Sequence, residues 1–357
     1  MTKVYIIAEA GVNHNGSPDL ALEMIRLAAD AGADAVKFQT FIAGEVISSK
    51  APKAPYQERL TSENESQLEM VRKFQLDEDH HKELLAFSRS QGLDFLSTPF
   101  DLPSLELLTC RLHLPRIKVA SGEITNLPLL LRAARSGTDI ILSTGISSLG
   151  EIENALMVIA FGYCTKDTSP STKAFRENYL SSEGQKALQE KVTLLHCTSE
   201  YPAPFEDINL LAMDTLRQTF GLPVGYSDHS QGIAVSIAAA ARGASVLEKH
   251  FTLNKNLPGP DHQASLSPDE LKQMVRSVRQ IELALGSPRK IPAPSELRNL
   301  TLVRKSLVAK KEIKKGEMFT EDNLGLKRPG TGIEPARYWD YLGRKAEKTY
   351  QTDEEIE

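Results

Sequence analysis

The sequence predicts a (β/α)8 barrel followed by a small second domain. Eight short apolar runs, typical of buried parallel strands, alternate with amphipathic helices. This alternation fills most of the 357 residues, and roughly 250 residues is the usual length of such a barrel. A doubly wound open sheet is the alternative, but it normally carries a GxGxxG turn after its first strand. The segment GVNHNG at that place does not fit the pattern.

The eight predicted strands are short and rich in Val, Ile and Leu, and most are followed by polar residues. In chain order they are Val4–Ala10, Ala35–Thr40, Asp94–Pro99, Arg116–Ser121, Asp139–Thr144, Val192–Cys197, Val224–Asp228 and Ser245–Phe251.

Helices are predicted between the strands from apolar periodicity and from capping residues. Ser17 precedes Pro18 as an N-cap, and Ser267 begins a capping box with Glu270. The first of these helices ends near Gly32. The others are predicted over Gln67–Lys73, Asp79–Gln91, Leu127–Arg135, Leu149–Phe161, Leu210–Phe220, Ile233–Arg242 and from Ser267 to Leu285.

The chain is predicted to divide into a barrel over residues 1–285, a linker over 286–303 and a small domain over 304–357. The last domain is marginal in size, so we expect it to pack on another surface. Ser48–Glu65 is polar and is predicted to be a long loop on the active face. The serine-rich insertion Lys166–Glu190 is predicted to be a loop or helix extension, and its sequence indicates no chemistry.

Composition narrows the function and the compartment. A net charge of −5 and a pI near 6.0 argue against a nucleic-acid partner. No apolar run is long enough to cross a bilayer, and MTKVYIIAEAG does not resemble a signal peptide. Three cysteines without CxxC spacing make a disulfide framework or zinc ribbon improbable. A cytoplasmic location without membrane contact is expected.

Two histidines follow neighbouring predicted strands in the same way. His229 comes after the run ending in Ser227-Asp228, and His250 comes after Glu248-Lys249. Either histidine alone is better explained as a hydrogen-bonded core residue. Two imidazoles at the same end of successive strands, with carboxylates nearby, favour a divalent-metal site.

The carboxyl ends of all eight predicted strands carry polar groups. These ends hold the catalytic residues in barrels of this type. Three are lysines, Lys37, Lys118 and Lys249, and a lysine inside a barrel mouth is costly unless an anion binds there. Lys37 and Lys118, with Thr98, Ser121 and Ser143, predict a phosphorylated or carboxylated ligand. Glu9 and Glu123 are candidates either for proton transfer or for counter-ions to the lysines, with equal weight.

Several long segments resemble the bacterial sialic acid synthase family. They are IIAEAGVNHNG, AVKFQTF, LSTPFD, SGEITNLPLL, LSTGISSLGEIENAL, LLHCTSEYPAPFEDINL, GYSDHSQG and EKHFTLNKNLPGPDHQASLSPDEL. The stretch RKSLVAKKEIKKGEMFTEDNL, with KRPGTGI after it, resembles the family's C-terminal antifreeze-like (SAF) domain. The resemblance covers nearly the whole chain apart from the insertion.

The resemblance implies condensation of phosphoenolpyruvate (PEP) with an N-acetylated hexosamine in its open-chain form. C3 of PEP attacks the aldehyde, water adds at C2, and phosphate leaves by C–O cleavage. A divalent metal, usually Mn²⁺ and otherwise Mg²⁺ or Co²⁺, polarises the aldehyde oxygen. The family also implies a domain-swapped homodimer, in which Arg328 reaches the partner subunit's sugar.

The resemblance assigns each matching residue a role. His229 and His250 would bind the metal. The PEP residues would be Lys37, Thr98, Lys118, Ser121, Ser143, Thr198 and Ser227. The sugar residues would be Glu9, Gln39, Tyr201, Asp261 and Arg328, and catalysis would involve Glu9, Lys118, Glu123 and Asp261.

One departure concerns His196-Cys197-Thr198, where neuraminate-type members often have HCN. Thr198 keeps a donor but shortens its reach, and the form CTSEYPAP resembles the branch that makes N,N′-diacetyllegionaminate. N-acetylneuraminate synthesis from N-acetylmannosamine is the alternative. Two remoter alternatives are a metal-dependent hydrolase on the same barrel and an inactive barrel carrying an ice- or glycan-binding unit.

Overall fold

The computed structural model describes residues 3–53 and 66–357. The chain forms two compact units, Met1–Gly286 and Ser287–Glu357. No helix within the described ranges is long and apolar enough to cross a membrane. Of the predicted loop over 48–65, residues 54–65 lie outside the described ranges.

The first unit is an eight-stranded parallel barrel, which confirms the predicted fold class. Hydrogen-bonded neighbours run in the order β3-β2-β1-β8-β7-β6-β5-β4, and β3 also packs beside β4, so the sheet closes. The strands are β1 (Tyr5–Gly11), β2 (Ala35–Thr40), β3 (Asp94–Pro99), β4 (Arg116–Val119), β5 (Asp139–Ser143), β6 (Val192–Cys197), β7 (Val224–Asp228) and β8 (Val246–His250).

Helices surround this barrel, and serine side chains cap several of them. Ser17, Ser148 and Ser267 each accept a hydrogen bond from a backbone N–H in the first turn of the helix that follows. The helices are α1 (Pro18–Asp30), α2 (Ala43–Val46), α3 (Gln67–Arg72), α4 (Glu78–Ser90), α5 (Leu102–Glu106), α6 (Leu127–Arg135), α7 (Leu149–Cys164), α8 (Thr172–Tyr179), α9 (Ser182–Lys191), α10 (Ala212–Phe220), α11 (Ala234–Ala241) and α12 (Pro268–Leu285).

Several predicted boundaries differ from the observed ones by up to three residues, and the end of the fourth strand has a local cause. The fourth strand ends at Val119, because Ser121–Glu123 turns into a short 3-10 helix. The insertion Lys166–Glu190, predicted as a loop or helix extension, contains α8 and all but the last residue of α9. Ser171 and Ser181 cap these two helices, so its serines begin helices.

The barrel interior is built in layers, because alternate residues of a strand point to the same side. The lower layer is a buried apolar cluster of Ile7, Ala35, Leu96, Ile141, Leu195 and Val246. Two residues further along the same strands come Glu9, Lys37, Thr98, Ser143 and Glu248, all buried. The apolar layer therefore supports a polar layer directly above it.

The second unit has its own small core. Strand β9 (Ser306–Ala309) pairs antiparallel with β10 (Leu324–Lys327), and the core contains Leu307, Phe319 and Tyr350 among others. Its helices are α13 (Pro294–Leu297), α14 (Leu300–Val303) and α15 (Tyr338–Tyr341). Both α13 and α14 fall within the predicted linker over 286–303.

Candidate active site

A cavity of about 420 Å³ opens at the carboxyl ends of the barrel strands. Its size lies in the ordinary range for small-molecule sites. The structure brings together twelve of the residues predicted from the sequence. They are Glu9, Lys37, Gln39, Thr98, Lys118, Ser121, Ser143, Tyr201, Ser227, His229, His250 and Asp261.

The floor of the cavity is a buried charge network, here called the interior cluster, of Glu9, Lys37, Lys118 and Glu248. Lys37 Nζ lies 2.7 Å from Glu9 Oε2 and 3.8 Å from Glu248 Oε1. Lys118 Nζ lies 3.2 Å from the same Glu248 oxygen. Two carboxylates and two ammonium groups therefore share one water-poor space, and each controls the charge of the others.

Burial and the lysines move the two carboxyl pKa values apart. Burial raises the pKa of Glu9 above its usual range, and Lys37 offsets only part of that rise. Burial also acts to raise the pKa of Glu248, but Lys118 and Lys37 outweigh it and lower that pKa. Glu248 is consequently ionised at neutral pH, and Glu9 holds a proton much more readily.

The histidine pair lies beside the interior cluster with a defined tautomer at His229. His229 Nδ1 donates a hydrogen bond to the Thr198 carbonyl oxygen at 2.7 Å. The other nitrogen, Nε2, is therefore left as the acceptor, 3.2 Å from the Tyr201 hydroxyl. The His229 and His250 ring centroids are 5.6 Å apart.

These histidines fit a divalent metal ion. Burial lowers the pKa of His229 to about 4 and that of His250 well below its usual value, so both rings are neutral, as metal ligands must be. The Nδ1–H bond of His229 to a carbonyl is the usual support of a ligating histidine. No three His, Cys, Asp or Glu side chains in the described ranges are grouped to hold a metal. A bound ion would therefore keep positions open for other ligands.

A cradle of small polar groups lies beside Lys118. Ser121 Oγ accepts a hydrogen bond from the Gly145 backbone N–H at 3.0 Å and lies 3.1 Å from Cys197 Sγ. A Cβ on Gly145 would come within 2.3 Å of Ser199 Oγ and 2.8 Å of both other atoms. A side chain at position 145 would therefore force these three groups to move.

Apolar side chains also line the cavity. Phe41, Val46, Ile47, Met70 and Phe74, which lie in α2 and α3 or shortly after β2, α2 and α3, form this apolar wall. Asp261 also lines the cavity, and burial raises its pKa to about 6. The cavity thus has a charged, hydroxyl-rich half and a half suited to methyl groups.

Three predicted site residues do not line this cavity. Glu123 accepts a hydrogen bond from the Asn126 side chain at 2.7 Å and is outside the cavity lining. Thr198 Oγ1 donates to the Asp207 carbonyl oxygen at 3.2 Å, so the Thr198 side chain points away while its backbone holds His229. Arg328 is exposed in the second unit.

Two residues of the cavity were not predicted as site residues, and a third predicted residue lies elsewhere. Glu248 is central to the cavity, and its signal was the two-residue spacing to His250, which puts both on the inner face of β8. Ser199 lines the cavity where Thr198 was predicted. The prediction that Lys249 faces the mouth was wrong, because the same alternation turns it outward, where it pairs with Asp228.

Comparisons with known proteins find relatives over nearly the whole length of the chain. Residues 24–290 match the NeuB family and residues 304–353 match the SAF domain. An N,N'-diacetyllegionaminic acid synthase of Campylobacter jejuni is 52% identical, covering 100% of this chain and 99% of that protein. Another, from Legionella pneumophila, is 43% identical over 96% of this chain and 90% of its own. The crystal structure of an N-acetylneuraminic acid synthetase from Leptospira borgpetersenii, in complex with citrate, matches with a TM-score of 0.66. It is 34% identical, covering 84% of this chain and 90% of that one.

Proposed function

Because this chain belongs to the NeuB family, we propose that it condenses PEP with 2,4-diacetamido-2,4,6-trideoxymannose. The products are N,N'-diacetyllegionaminate and phosphate. Enzymes of this family condense PEP with a sugar. Family membership therefore favours condensation over the hydrolase and over the inactive glycan-binding barrel.

The observation that carries the proposal is the two-sided cavity. Lys37 and Lys118 supply positive charge for the carboxylate and phosphate of PEP, and the serine hydroxyls of the cradle supply directed hydrogen bonds. Among the described residues, Ser143 Oγ and Glu248 Oε2 are buried without a hydrogen-bond partner. Buried polar atoms of this kind are rare in finished cores and are expected where a ligand completes the bonding.

The apolar wall supports the diacetamido sugar over N-acetylmannosamine. The proposed sugar has a methyl group in place of the C6 hydroxymethyl and a second acetamido methyl at C4. Burying these methyl groups against Val46, Ile47 and Met70 is favourable. The identity of 52% to a protein named for the diacetylated product points the same way.

The proton steps are assigned by the separated pKa values. We assign Glu9, the carboxyl group with the raised pKa, as the acid that protonates the oxygen of the former aldehyde. Glu248, held ionised by two lysines, would accept the proton of the water that adds at C2. We therefore assign the water step to Glu248 and not to Glu123, which does not line the cavity.

His229 and His250 are the residues that would hold the divalent ion, which we propose to be Mn²⁺, with Mg²⁺ or Co²⁺ as substitutes. The ion would supply Lewis-acid polarisation of the aldehyde oxygen. Tyr201 and Asp261 lie next to the histidines: Tyr201 Oη is 3.2 Å from His229 Nε2, and Asp261 Oδ2 is 3.9 Å from His250 Nδ1. Both are thus placed to orient the sugar hydroxyls.

Phosphate release from PEP tests the substrate. With Mn²⁺ present, we expect kcat/KM for the diacetamido sugar to exceed that for N-acetylmannosamine by at least about tenfold, one buried methyl being worth that much. The reverse preference would make the enzyme a neuraminate synthase. Release that survives both chelation and His229→Ala would overturn the metal assignment.

A domain-swapped dimer is a separate proposal that involves Arg328. This arginine is exposed in the second unit, in KRPGTG. If it acts in the partner's site, mixing an Arg328→Ala protein with a His250→Ala protein restores part of the activity, because mixed dimers contain one intact site. No recovery from mixtures shown to exchange subunits would contradict the swap. We also retain the cytoplasm as the proposed location of the enzyme.

A further inference from the structure

A second buried ion pair lies directly behind the histidines, on the outer side of the barrel wall. Asp228 of β7 and Lys249 of β8 are partners in the strand ladder. Lys249 Nζ lies 3.1 Å from Asp228 Oδ1, and both side chains are fully buried. We call Asp228 and Lys249 the outer pair.

The hydrogen bonds of the outer pair join the residues directly before and after His229 in the chain. Asp228 Oδ1 accepts from the Ser230 backbone N–H at 2.8 Å and from the Ser230 hydroxyl at 2.6 Å. The residues before and after His229 are therefore bound to each other through one carboxylate. The other oxygen of Asp228 accepts from Ser236 Oγ at 2.6 Å, which ties the same carboxylate to α11.

Lys249 extends this network to the second histidine. It precedes His250 in β8, and its Nζ donates a hydrogen bond to the Ser230 carbonyl oxygen. The two chain segments that carry the imidazoles are consequently joined to each other by side chains as well as by the strand ladder.

We propose that Asp228 and Lys249 are positioning residues, which fix the separation and orientation of the His229 and His250 rings for the divalent ion. This inference rests on the metal assignment made above. A buried ion pair is no more stable than well-packed apolar residues of the same volume, so packing alone does not call for charges here. Asp228 and Lys249 each directly precede one of the two histidines in the chain, and they link the two strands. Residues that support metal ligands in this way set the geometry of those ligands.

The test is the affinity for Mn²⁺ alone, measured from the electron paramagnetic resonance signal of the free ion. The variants are Lys249→Met and the double variant Asp228→Asn with Lys249→Met, which removes both charges and retains groups that can bond the serines. We expect Kd for Mn²⁺ to rise by about 10- to 100-fold in the double variant. Circular dichroism verifies that the double variant is folded. The test therefore remains valid even when Lys249→Met alone does not fold.

A matched control is Ser97→Ala. Ser97 Oγ lies 2.6 Å from Thr40 Oγ1 in a buried link between β2 and β3, away from the strands that carry the histidines. This variant should bind Mn²⁺ as the wild type does. Equal weakening by Ser97→Ala would mean that any buried polar loss disturbs the site, and would overturn the inference.

Two further outcomes separate this inference from the metal assignment. If His229→Ala abolishes Mn²⁺ binding but the folded double variant binds as the wild type does, the positioning role is overturned and the metal site stands. If wild-type protein and His229→Ala bind Mn²⁺ equally, the metal assignment fails and the inference fails with it.

Discussion

Glu248 and Lys249 are neighbours in β8, both buried and both charged, yet their surroundings differ. On the inner face, Glu248 Oε2 has no hydrogen-bond partner in the described part of the chain. On the outer face, Lys249 and Asp228 bond each other, Ser230 and Ser236. The outer pair is complete in the protein alone, whereas the interior cluster is not. Buried charge with vacant bonding capacity marks the side of the wall that meets a ligand.

Removing a cation from the interior cluster should have the largest effect on activity. We expect Lys118→Met to lower kcat/KM for PEP-dependent phosphate release by about 10³-fold, since a preorganised charge facing the substrate is lost. The unfolding free energy, measured in urea, should fall by less than it does when the outer pair is broken, because Lys37 Nζ still lies 3.8 Å from Glu248 Oε1 and Glu9 can take up a proton. Activity within tenfold of the wild type would contradict the assignment of Lys118 to PEP.

Breaking the outer pair should have a large effect on the stability of the fold. Asp228→Leu leaves Lys249 buried without its counter-ion, so the unfolding free energy should fall by about 3–5 kcal/mol. Urea denaturation measures this, and Ser97→Ala, which removes one neutral link, should cost about 1 kcal/mol. A loss for Asp228→Leu no larger than for Ser97→Ala would show that the outer pair is not a structural element.

Two adjacent residues, Thr198 and Ser199, test where the lining of the cavity ends. Ser199→Ala should raise KM for PEP about tenfold, the usual loss of one hydrogen bond to a charged group. Thr198→Val should change it less than about twofold, because the Thr198 side chain is directed at the Asp207 carbonyl and only its backbone contacts His229. If Thr198→Val has the larger effect, the side chains are arranged differently when PEP is bound.

A partly exposed cluster at the other end of the barrel should give the smallest effect. Burial acts to raise the pKa of Asp34, but hydrogen bonds from Lys3, Ile6 N–H and Arg279 outweigh it and lower the pKa. The ionised form is thus favoured in the folded state. Its contribution, at most about 1 kcal/mol for so exposed a pair, is present above the unfolded pKa of about 3.9 and is lost as pH falls through the folded value. The stability difference between wild type and Asp34→Asn, visible at pH 7, should shrink as the pH falls below about 3.9.

The barrel and most of the cavity were predictable because they follow from local patterns. Apolar runs with polar ends gave all eight strands, and the strand ends carry Lys37, Lys118, His229 and His250 into one space. Strand position alone is enough for this, since parallel strands in a barrel all end on the same side.

The predictions were wrong where the direction of a side chain, and not its place along the strand, decides whether it reaches the cavity. Lys249 was expected in the mouth and Glu248 was noted only as a carboxylate near His250, although alternation from His250 places Glu248 inside and Lys249 outside. At Thr198 and Ser199 the chain has left the strand, so no period applies and loop geometry decides. Glu123 lies in a 3-10 turn, where its carboxylate bonds Asn126 instead of facing the cavity.

The crowding at Gly145 has a consequence for how this enzyme can vary. Three side-chain atoms from two segments, Ser121 after β4 and Cys197 with Ser199 at the end of β6, surround the place where a Cβ would stand, so a single methyl group would force them to move. In a saturation library selected for growth that depends on the product, codon 145 should return glycine only. Positions on the apolar wall, such as Val46 and Ile47, should admit many replacements and change only which sugars are used. New specificities can therefore arise by drift on one side of the cavity while the other side is held constant by selection.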